Sequence, residues 1–353
     1  MTLEARPVPA GAAAAAERSG HEAVHCFVDE AVGYVGVIAI HSTTLGPAVG
    51  GTRAWHYDSP EAAATDALRL ARGMTCKNAM ADLPLGGGKS VIALPPGRFD
   101  REAVYRAHGR AVESLGGRYV TATDVGTRPE DLRTMRRETR WVLGLESESA
   151  RSGWWTARGV FHAIRGALRH RHGSAALAGR TVAVQGAGSV GAALSGFLAE
   201  AGATVVVSDI DEARARAVAA ECGGRVELAE LIHRAAADVF APCALGGGLD
   251  AASIAELGAA IVAGGANNQL ADDADAGRLA ERGVAWVPDY LANAGGVITA
   301  GTELFGWDAA EVRRRVEAIE ETAAGLLDLA AAEGITPLAA AERVVGARVS
   351  RKQ

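Results

Sequence analysis

Lysine is almost absent from this chain. Of 36 cationic side chains, only those of Lys77, Lys89 and Lys352 are ammonium groups. Asparagine is nearly as scarce, at Asn78, Asn267, Asn268 and Asn293. The four cysteines, Cys26, Cys76, Cys222 and Cys243, are dispersed. No CxxC pair or Cys/His cluster occurs, so neither a disulfide framework nor a metal site is expected, and reduced thiols in the cytoplasm fit best. No apolar run reaches the roughly 18 residues of a membrane-spanning helix. Net charge is -6 with no basic stripe or tail, which argues against nucleic acid as a partner. Met1–Gly20 is rich in Ala and Pro but lacks the basic start and bulky apolar stretch of a signal peptide. It reads as a mobile lead-in.

Where a solvated positive charge suffices, arginine serves, and here it nearly always does. A retained lysine points to a task arginine cannot perform. An ammonium can lose its proton near neutrality when buried or crowded by another cation, whereas a guanidinium cannot. Lys77 and Lys89 lie twelve residues apart, in Met74-Thr-Cys-Lys-Asn-Ala-Met-Ala-Asp-Leu-Pro-Leu-Gly-Gly-Gly-Lys-Ser90. They are the first candidates for a catalytic site.

The 353 residues suggest two α/β domains. Strands are expected over His25–Val28, Tyr34–His41, Ser90–Leu94 and Tyr119–Val125, with helices over Glu61–Met80, Asp100–Leu115 and Pro129–Arg140. Ser59 and Pro60 carry the signals of a helix start. Around Glu146–Gly153 the pattern breaks, as at a hinge. A helix over Ala157–Arg171 then opens a second strand–helix series. Its strands are Thr181–Gln185, Thr204–Asp209, Val239–Ala241, Ala260–Ala263 and Val284–Val287. Such alternation implies a doubly wound parallel sheet. We expect a substrate, catalytic and oligomerisation domain over 1–150, a dinucleotide domain over 151–320, and helices over 321–353 returning to the first domain.

The strand Thr181–Gln185 runs into Gly186-Ala-Gly188-Ser-Val-Gly191, a GxGxxG at a strand-to-helix turn. Gly186 permits the turn, Gly188 lets a pyrophosphate approach, and Gly191 lets helix and strand pack. Ser189 and Val190 open the helix whose free amides meet the phosphates. Asp209 ends the next strand, 23 residues beyond Gly186, where an acid receives the ribose hydroxyls. A carboxylate there favours NAD over NADP, although Arg214 and Arg216 follow closely.

Gly86-Gly-Gly-Lys-Ser90 imitates a phosphate loop. The Walker pattern, however, needs glycine where Leu83 stands, and here the strand follows the motif. Lys77 near a helix end and Lys89 at a strand start, across a tight Gly-rich loop, can instead point into one cleft. One would hold a substrate carboxylate while the other titrates as acid or base. Asp124, at the end of a strand, could complete the proton traffic. Asn267, Asn268 and Asn293 follow strands of the second series, where nicotinamide or substrate would be hydrogen-bonded.

These stretches resemble the glutamate/leucine/phenylalanine/valine dehydrogenases. The matches are Leu45-Gly-Pro-Ala-Val-Gly-Gly-Thr-Arg-Ala-Trp55, Arg72-Gly-Met-Thr-Cys-Lys-Asn-Ala79, Leu85–Lys89, Thr121-Ala-Thr-Asp-Val-Gly126, Gly186–Gly191, Ala263-Gly-Gly-Ala-Asn-Asn268 and Pro288-Asp-Tyr-Leu-Ala-Asn-Ala-Gly-Gly296. They run in family order along nearly the whole chain. The resemblance implies reversible, NAD-dependent oxidative deamination of an L-amino acid to a 2-oxo acid and ammonium, in a cleft between a substrate domain and a Rossmann domain. By it, Lys77 holds the substrate carboxylate with Asn268 and the backbone near Gly50 and Gly51. Lys89 is the base that activates water, and Asp124 moves protons at the amino group. Thr156 and Asn293 orient the nicotinamide, with Asn267 on the cofactor side. Closure of the cleft would exclude bulk water.

The resemblance also places Val49, Ala122, Val297 and Ala300 around the substrate side chain, all apolar, so a hydrophobic amino acid is expected. Gly88-Lys-Ser-Val-Ile-Ala-Leu-Pro95 and Gly301-Thr-Glu-Leu-Phe-Gly-Trp307 look like phenylalanine dehydrogenases. Gly117-Arg-Tyr-Val-Thr-Ala122 looks like valine dehydrogenases. Phenylalanine is favoured, with leucine, valine or tryptophan as alternatives. A homo-oligomer is expected from the family. A rival reading is a non-catalytic NAD-binding sensor on the same fold.

Overall fold

The computed structural model describes residues 3–145 and 151–350. The chain divides into two compact units, Met1–Ala150 with Val345–Gln353, and Arg151–Val344. Most of the expected hinge, residues 146–150, lies outside the described residues.

Period-two alternation builds the first sheet. Its strands are β1 (Glu4–Arg6), β2 (Ala23–Asp29), β3 (Tyr34–Ser42), β4 (Ala48–Trp55), β5 (Gly86–Ala93) and β6 (Tyr119–Thr123). Their order is β1-β2-β3-β5-β4-β6, with β4 parallel to both β5 and β6 and the other pairs antiparallel. On one face Val37, Ala39 and Val91 pack under α1 (Ala10–Arg18) and α2 (Pro60–Met80). On the other, Ile38, Ile40 and Ile92 pack under α3 (Arg101–Glu113) and α4 (Pro129–Arg136). Each buried isoleucine stabilises the fold by about 2 kcal/mol. Ser59 caps α2 by accepting from the Ala62 amide, as its sequence signals require.

Three expectations for this unit change. From Ala10 to Arg18 the expected lead-in is a helix: Ala12 and Ala16 of α1 pack against Ala63, Ala64 and Ala67 of α2, and small side chains allow that approach. A whole strand, β4, runs through Gly50 and Gly51. Finally, β5 begins at Gly86, so Lys89 lies inside a strand and not at its start.

The second unit opens with α5 (Ser152–His172) and carries an all-parallel sheet. Its strands are β7 (Thr181–Gln185), β8 (Thr204–Ser208), β9 (Arg225–Val226), β10 (Val239–Pro242), β11 (Ile261–Val262) and β12 (Ala285–Trp286). The order β12-β11-β10-β7-β8-β9 is that of a complete dinucleotide fold. Between β7 and β8 runs α6 (Ser189–Glu200), and α7 (Glu212–Cys222) follows β8. Ala183, Val206, Phe240, Val262 and Trp286 share its core. The helix Ile319–Glu333 also belongs to this unit. Gly166 of α5 lets it pack closely, since a Cβ there would stand 2.3 Å from the Glu320 carbonyl oxygen. Grouping with the first unit thus begins only at Val345, not at 321.

Candidate active-site residues

In the first unit the glycines of β5 are packing devices. A Cβ on Gly87 would stand 2.1 Å from the Thr75 amide nitrogen, and one on Gly88 would stand 2.8 Å from the Tyr119 ring. The missing Cβ on Gly87 lets the C-terminal half of α2 lie directly on the strand. Asn78 secures the contact by donating from Nδ2 to the Gly86 carbonyl at 2.5 Å. Lys89 shares the face of Gly87 and Val91, which α2 covers, and Lys77 occupies the last turn of α2.

Lys89 is buried, and its Nζ lies 2.9 Å from Oδ2 of Asp124, immediately beyond β6. Nε of Arg53, on β4, meets the same oxygen at 3.1 Å. Burial would push the Asp124 carboxyl up. The Lys89 ammonium and Arg53 guanidinium outweigh it and hold the group below its ordinary range. Of the two lysines expected to share a cleft, Lys89 thus meets a carboxylate.

Gly50 and Gly51 lie mid-strand between β5 and β6. A Cβ on Gly50 would fall 1.9 Å from the Gly88 carbonyl oxygen, and one on Gly51 would fall 2.1 Å from that of Thr123. Tyr119 donates its hydroxyl to the Gly50 carbonyl at 2.5 Å. Val49 is buried on the same strand, and Ala122 is half-buried on β6.

In the second unit the glycines behave differently. Gly186 has φ +96°, and a Cβ on Gly191 would collide with the Gly186 carbonyl oxygen at 1.8 Å. At Gly188 a Cβ would meet nothing within 4 Å. The turn is therefore tight at both ends and open in the middle, at the uncapped start of α6. That is the room a pyrophosphate requires. Asp209 accepts from the Ala187 amide at 2.7 Å and the Asp211 amide at 2.9 Å. These amides outweigh burial and keep its carboxyl ionised below the usual range. Nη1 of Arg214 stands 3.8 Å away and offsets part of that charge. The residues present fit a dinucleotide.

Asn293 is buried and donates to the Asn267 side-chain oxygen at 2.8 Å and the Gly265 carbonyl at 3.3 Å. Asn268 is exposed in a left-handed conformation, φ +52°, its amide bound to Asp289 at 2.5 Å. Thr156 sits in the first turns of α5, against which Gly296 packs: a Cβ on that glycine would stand 2.6 Å from the threonine hydroxyl. Val297 is half-buried and Ala300 buried, on two short consecutive helices, Gly295–Ile298 and Ala300–Phe305.

Comparison with known proteins agrees with this arrangement. Residues 23–141 match the model described as "Glu/Leu/Phe/Val dehydrogenase, dimerisation domain". Residues 149–213 and 211–352 match "Glutamate/Leucine/Phenylalanine/Valine dehydrogenase". The chain belongs to the glutamate/leucine/phenylalanine/valine dehydrogenase family. It is 41% identical to the leucine dehydrogenase of Bacillus subtilis (strain 168), over 95% of this chain and 93% of that one. It is 44% identical to the valine dehydrogenase of Streptomyces virginiae, over 95% of each. Among solved structures, the L-tryptophan dehydrogenase from Nostoc punctiforme superposes with a TM-score of 0.86 at 39% identity, over 96% of this chain and 98% of that one.

Within this dehydrogenase family member, sequence reasoning missed the groups behind the named ones. Arg53, one arginine among many, carried no signal beyond its place in the Leu45–Trp55 stretch. Gln269 is buried and donates to the Gly264 and Ala266 carbonyls at 2.9 and 3.2 Å, while Trp286 donates to its Oε1 at 3.1 Å. It shapes the loop that presents Asn267 and Asn268. Its position directly after that asparagine pair was the available hint. Among the described residues no His/Cys/Asp/Glu group could hold a metal ion, and no single helix is long and apolar enough to cross a membrane.

Proposed function

We propose that this dehydrogenase catalyses the reversible oxidative deamination of an apolar L-amino acid. The amino acid, NAD⁺ and water give the 2-oxo acid, ammonium, NADH and a proton. The observation that carries this reading is the buried Lys89–Asp124 pair, 2.9 Å apart. A proton-transfer couple of this kind suits a reaction in which water adds to an imine and ammonia leaves. When bound, NAD accepts the hydride from the substrate Cα.

Lys77, with the backbone near Gly50 and Gly51, binds the substrate carboxylate. Lys89 takes a proton from the attacking water, and Asp124 moves protons at the substrate nitrogen. The second unit binds NAD through Gly186, Gly188, Ser189, Val190 and Gly191 around the pyrophosphate and Asp209 on the ribose. Thr156, Asn267 and Asn293 orient the nicotinamide. Asn268 adds a hydrogen bond to the substrate.

Val49, Ala122, Val297 and Ala300 offer the substrate side chain nothing polar, which supports an apolar amino acid. Relatives named for leucine and valine support an aliphatic side chain. The segments resembling phenylalanine dehydrogenases and the structural likeness to a tryptophan dehydrogenase support an aromatic one. One methylene of pocket space discriminates by only about 1–3 kcal/mol, so activity on several apolar substrates follows. The dimerisation named in the N-terminal match supports a homo-oligomer.

The test is NADH formation with Leu, Val, Phe, Trp and Glu, and its reversal with ammonium and the matching 2-oxo acid. Lys89→Ala should lower kcat by about 10³-fold and leave NADH binding intact. Wild-type turnover in that variant would sink the mechanism. NADH binding without turnover on any amino acid would favour the sensor.

A further inference from the structure

Two cations sit on one carboxylate oxygen, and only one of them has a place in the chemistry above. Lys89 Nζ and Arg53 Nε both contact Oδ2 of Asp124, at 2.9 and 3.1 Å. Arg53 is held from behind. Its Nη1 meets Oδ2 of Asp66, on α2, at 3.0 Å. Tyr57 donates to that same Asp66 oxygen at 2.7 Å, and Arg69 donates to Oδ1 at 3.1 Å. The side chains of Arg53, Asp66 and Asp124 are all largely shielded, at 19%, 16% and 16% exposed.

We propose that Arg53, anchored by Asp66 and Tyr57, is a positioning residue that pins Oδ2 of Asp124 and presents Oδ1 to the substrate nitrogen. The proposal rests on the role given to Asp124 above. The physical need arises from Lys89. If that residue acts as a base, its charge disappears and returns within each turnover. A guanidinium keeps its charge throughout. Its planar fork also holds donors to the Asp124 and Asp66 carboxylates at fixed separation, whereas an ammonium is a point charge on a flexible stem. Arg53 thus keeps Asp124 ionised and oriented while Lys89 is neutral.

Among the described residues, the charged and titratable groups around Asp124 include Lys89 on β5, Arg53 on β4, Tyr119 on β6, and Tyr57 and Asp66 beyond Arg53. The acid limb of kcat/KM reports the ionisation of Asp124 in the field of its neighbours. Removing a neighbouring cation makes Asp124 hold its proton more tightly, and removing a neighbouring anion does the reverse.

The experiment compares kcat/KM against pH for wild type, Arg53→Gln, Arg53→Lys, Asp66→Asn and Asp124→Asn, with thermal unfolding and NADH binding as controls. Arg53→Gln should move the acid limb up by about one pH unit, and Asp66→Asn should move it down. Arg53→Lys should leave the limb in place yet lower kcat about tenfold, because the fork is lost while the charge remains. KM for the amino acid should stay near wild type in all three. If Arg53→Gln does not fold, the Asp66→Asn shift and the Arg53→Lys loss decide. Folded variants with an unmoved acid limb and wild-type kcat overturn the proposal. Should Asp124→Asn itself turn over normally, the role of Asp124 fails first. A dead Asp124→Asn beside an unresponsive limb condemns the Arg53 proposal alone.

Discussion

The two glycine runs look alike in the sequence and do opposite work. Along Gly86–Gly88 every missing Cβ is occupied by a neighbour: the Ser42 carbonyl at 2.0 Å, the Thr75 amide at 2.1 Å and the Tyr119 ring at 2.8 Å. Along Gly186–Gly191 the central glycine faces open space. In the first run, glycine lets protein meet protein, so that a helix carrying Lys77 lies on a strand carrying Lys89. In the second, it leaves protein backbone bare, where we propose that the pyrophosphate binds. A glycine-rich motif therefore signals close approach, but not what approaches.

The most severe test of this contrast is Gly87→Ala. The new methyl would meet backbone, which cannot swing aside as a flexible side chain can. Destabilisation of at least about 3 kcal/mol is expected, read as loss of thermal stability together with turnover. A variant that melts within a few degrees of wild type would show that the helix can lift from β5 cheaply. Gly188→Ala should do the converse. Its φ of -74° suits any residue and its Cβ position is empty, so stability should change by less than about 1 kcal/mol. NADH affinity should nevertheless fall about tenfold, because the methyl occupies the approach of the pyrophosphate. Unchanged affinity by fluorescence titration would remove the ligand-facing role of that glycine.

The same contrast explains what was legible in advance. The Rossmann strands were readable because parallel strands buried on both faces are short apolar runs, as in Thr181-Val-Ala-Val-Gln185 and Thr204–Ser208. The turn Gly186–Gly191 was readable because GxGxxG between a strand and a helix is a distinctive spacing. In the first unit, β4 was not read as a strand because Gly50 and Gly51 weaken strand propensity, and only the neighbouring backbones explain them. The start of β5 was hidden the same way. Lys77, Lys89 and Asp124 stood out by rarity or by position after a strand. Arg53 and Asp66 did not, because a common residue type acquires its meaning from the partner it reaches across the sheet.

Closed packing should also make the first unit the acid-sensitive one. Beneath β5 lie two neutral histidines, one on each face. His108 bonds Ser90 at 3.0 Å and Thr52 at 3.1 Å, and burial pushes it down to about 3. His41 bonds Thr75, the residue seated on Gly87, at 2.8 Å. Burial first, then His21 and Arg72, push it down to about 4. An unfolded histidine titrates near 6.5. Above that value both states are neutral and the fold keeps its full stability. As the pH falls, the unfolded chain binds protons that the fold refuses. Stability then drains away between about 6.5 and the folded values, on the order of 1 kcal/mol for each histidine by about pH 5.5. In the second unit the corresponding tendency of His162, whose value burial lowers, is countered by Glu320 at 3.3 Å, a carboxylate that favours the protonated ring. Hydrogen exchange compared at about pH 7 and pH 5.5 should therefore show β3 and β5 losing protection before β7 and β8 do. If the parallel sheet opened first, the tight packing around Gly86–Gly88 would not be the acid-labile part of this enzyme.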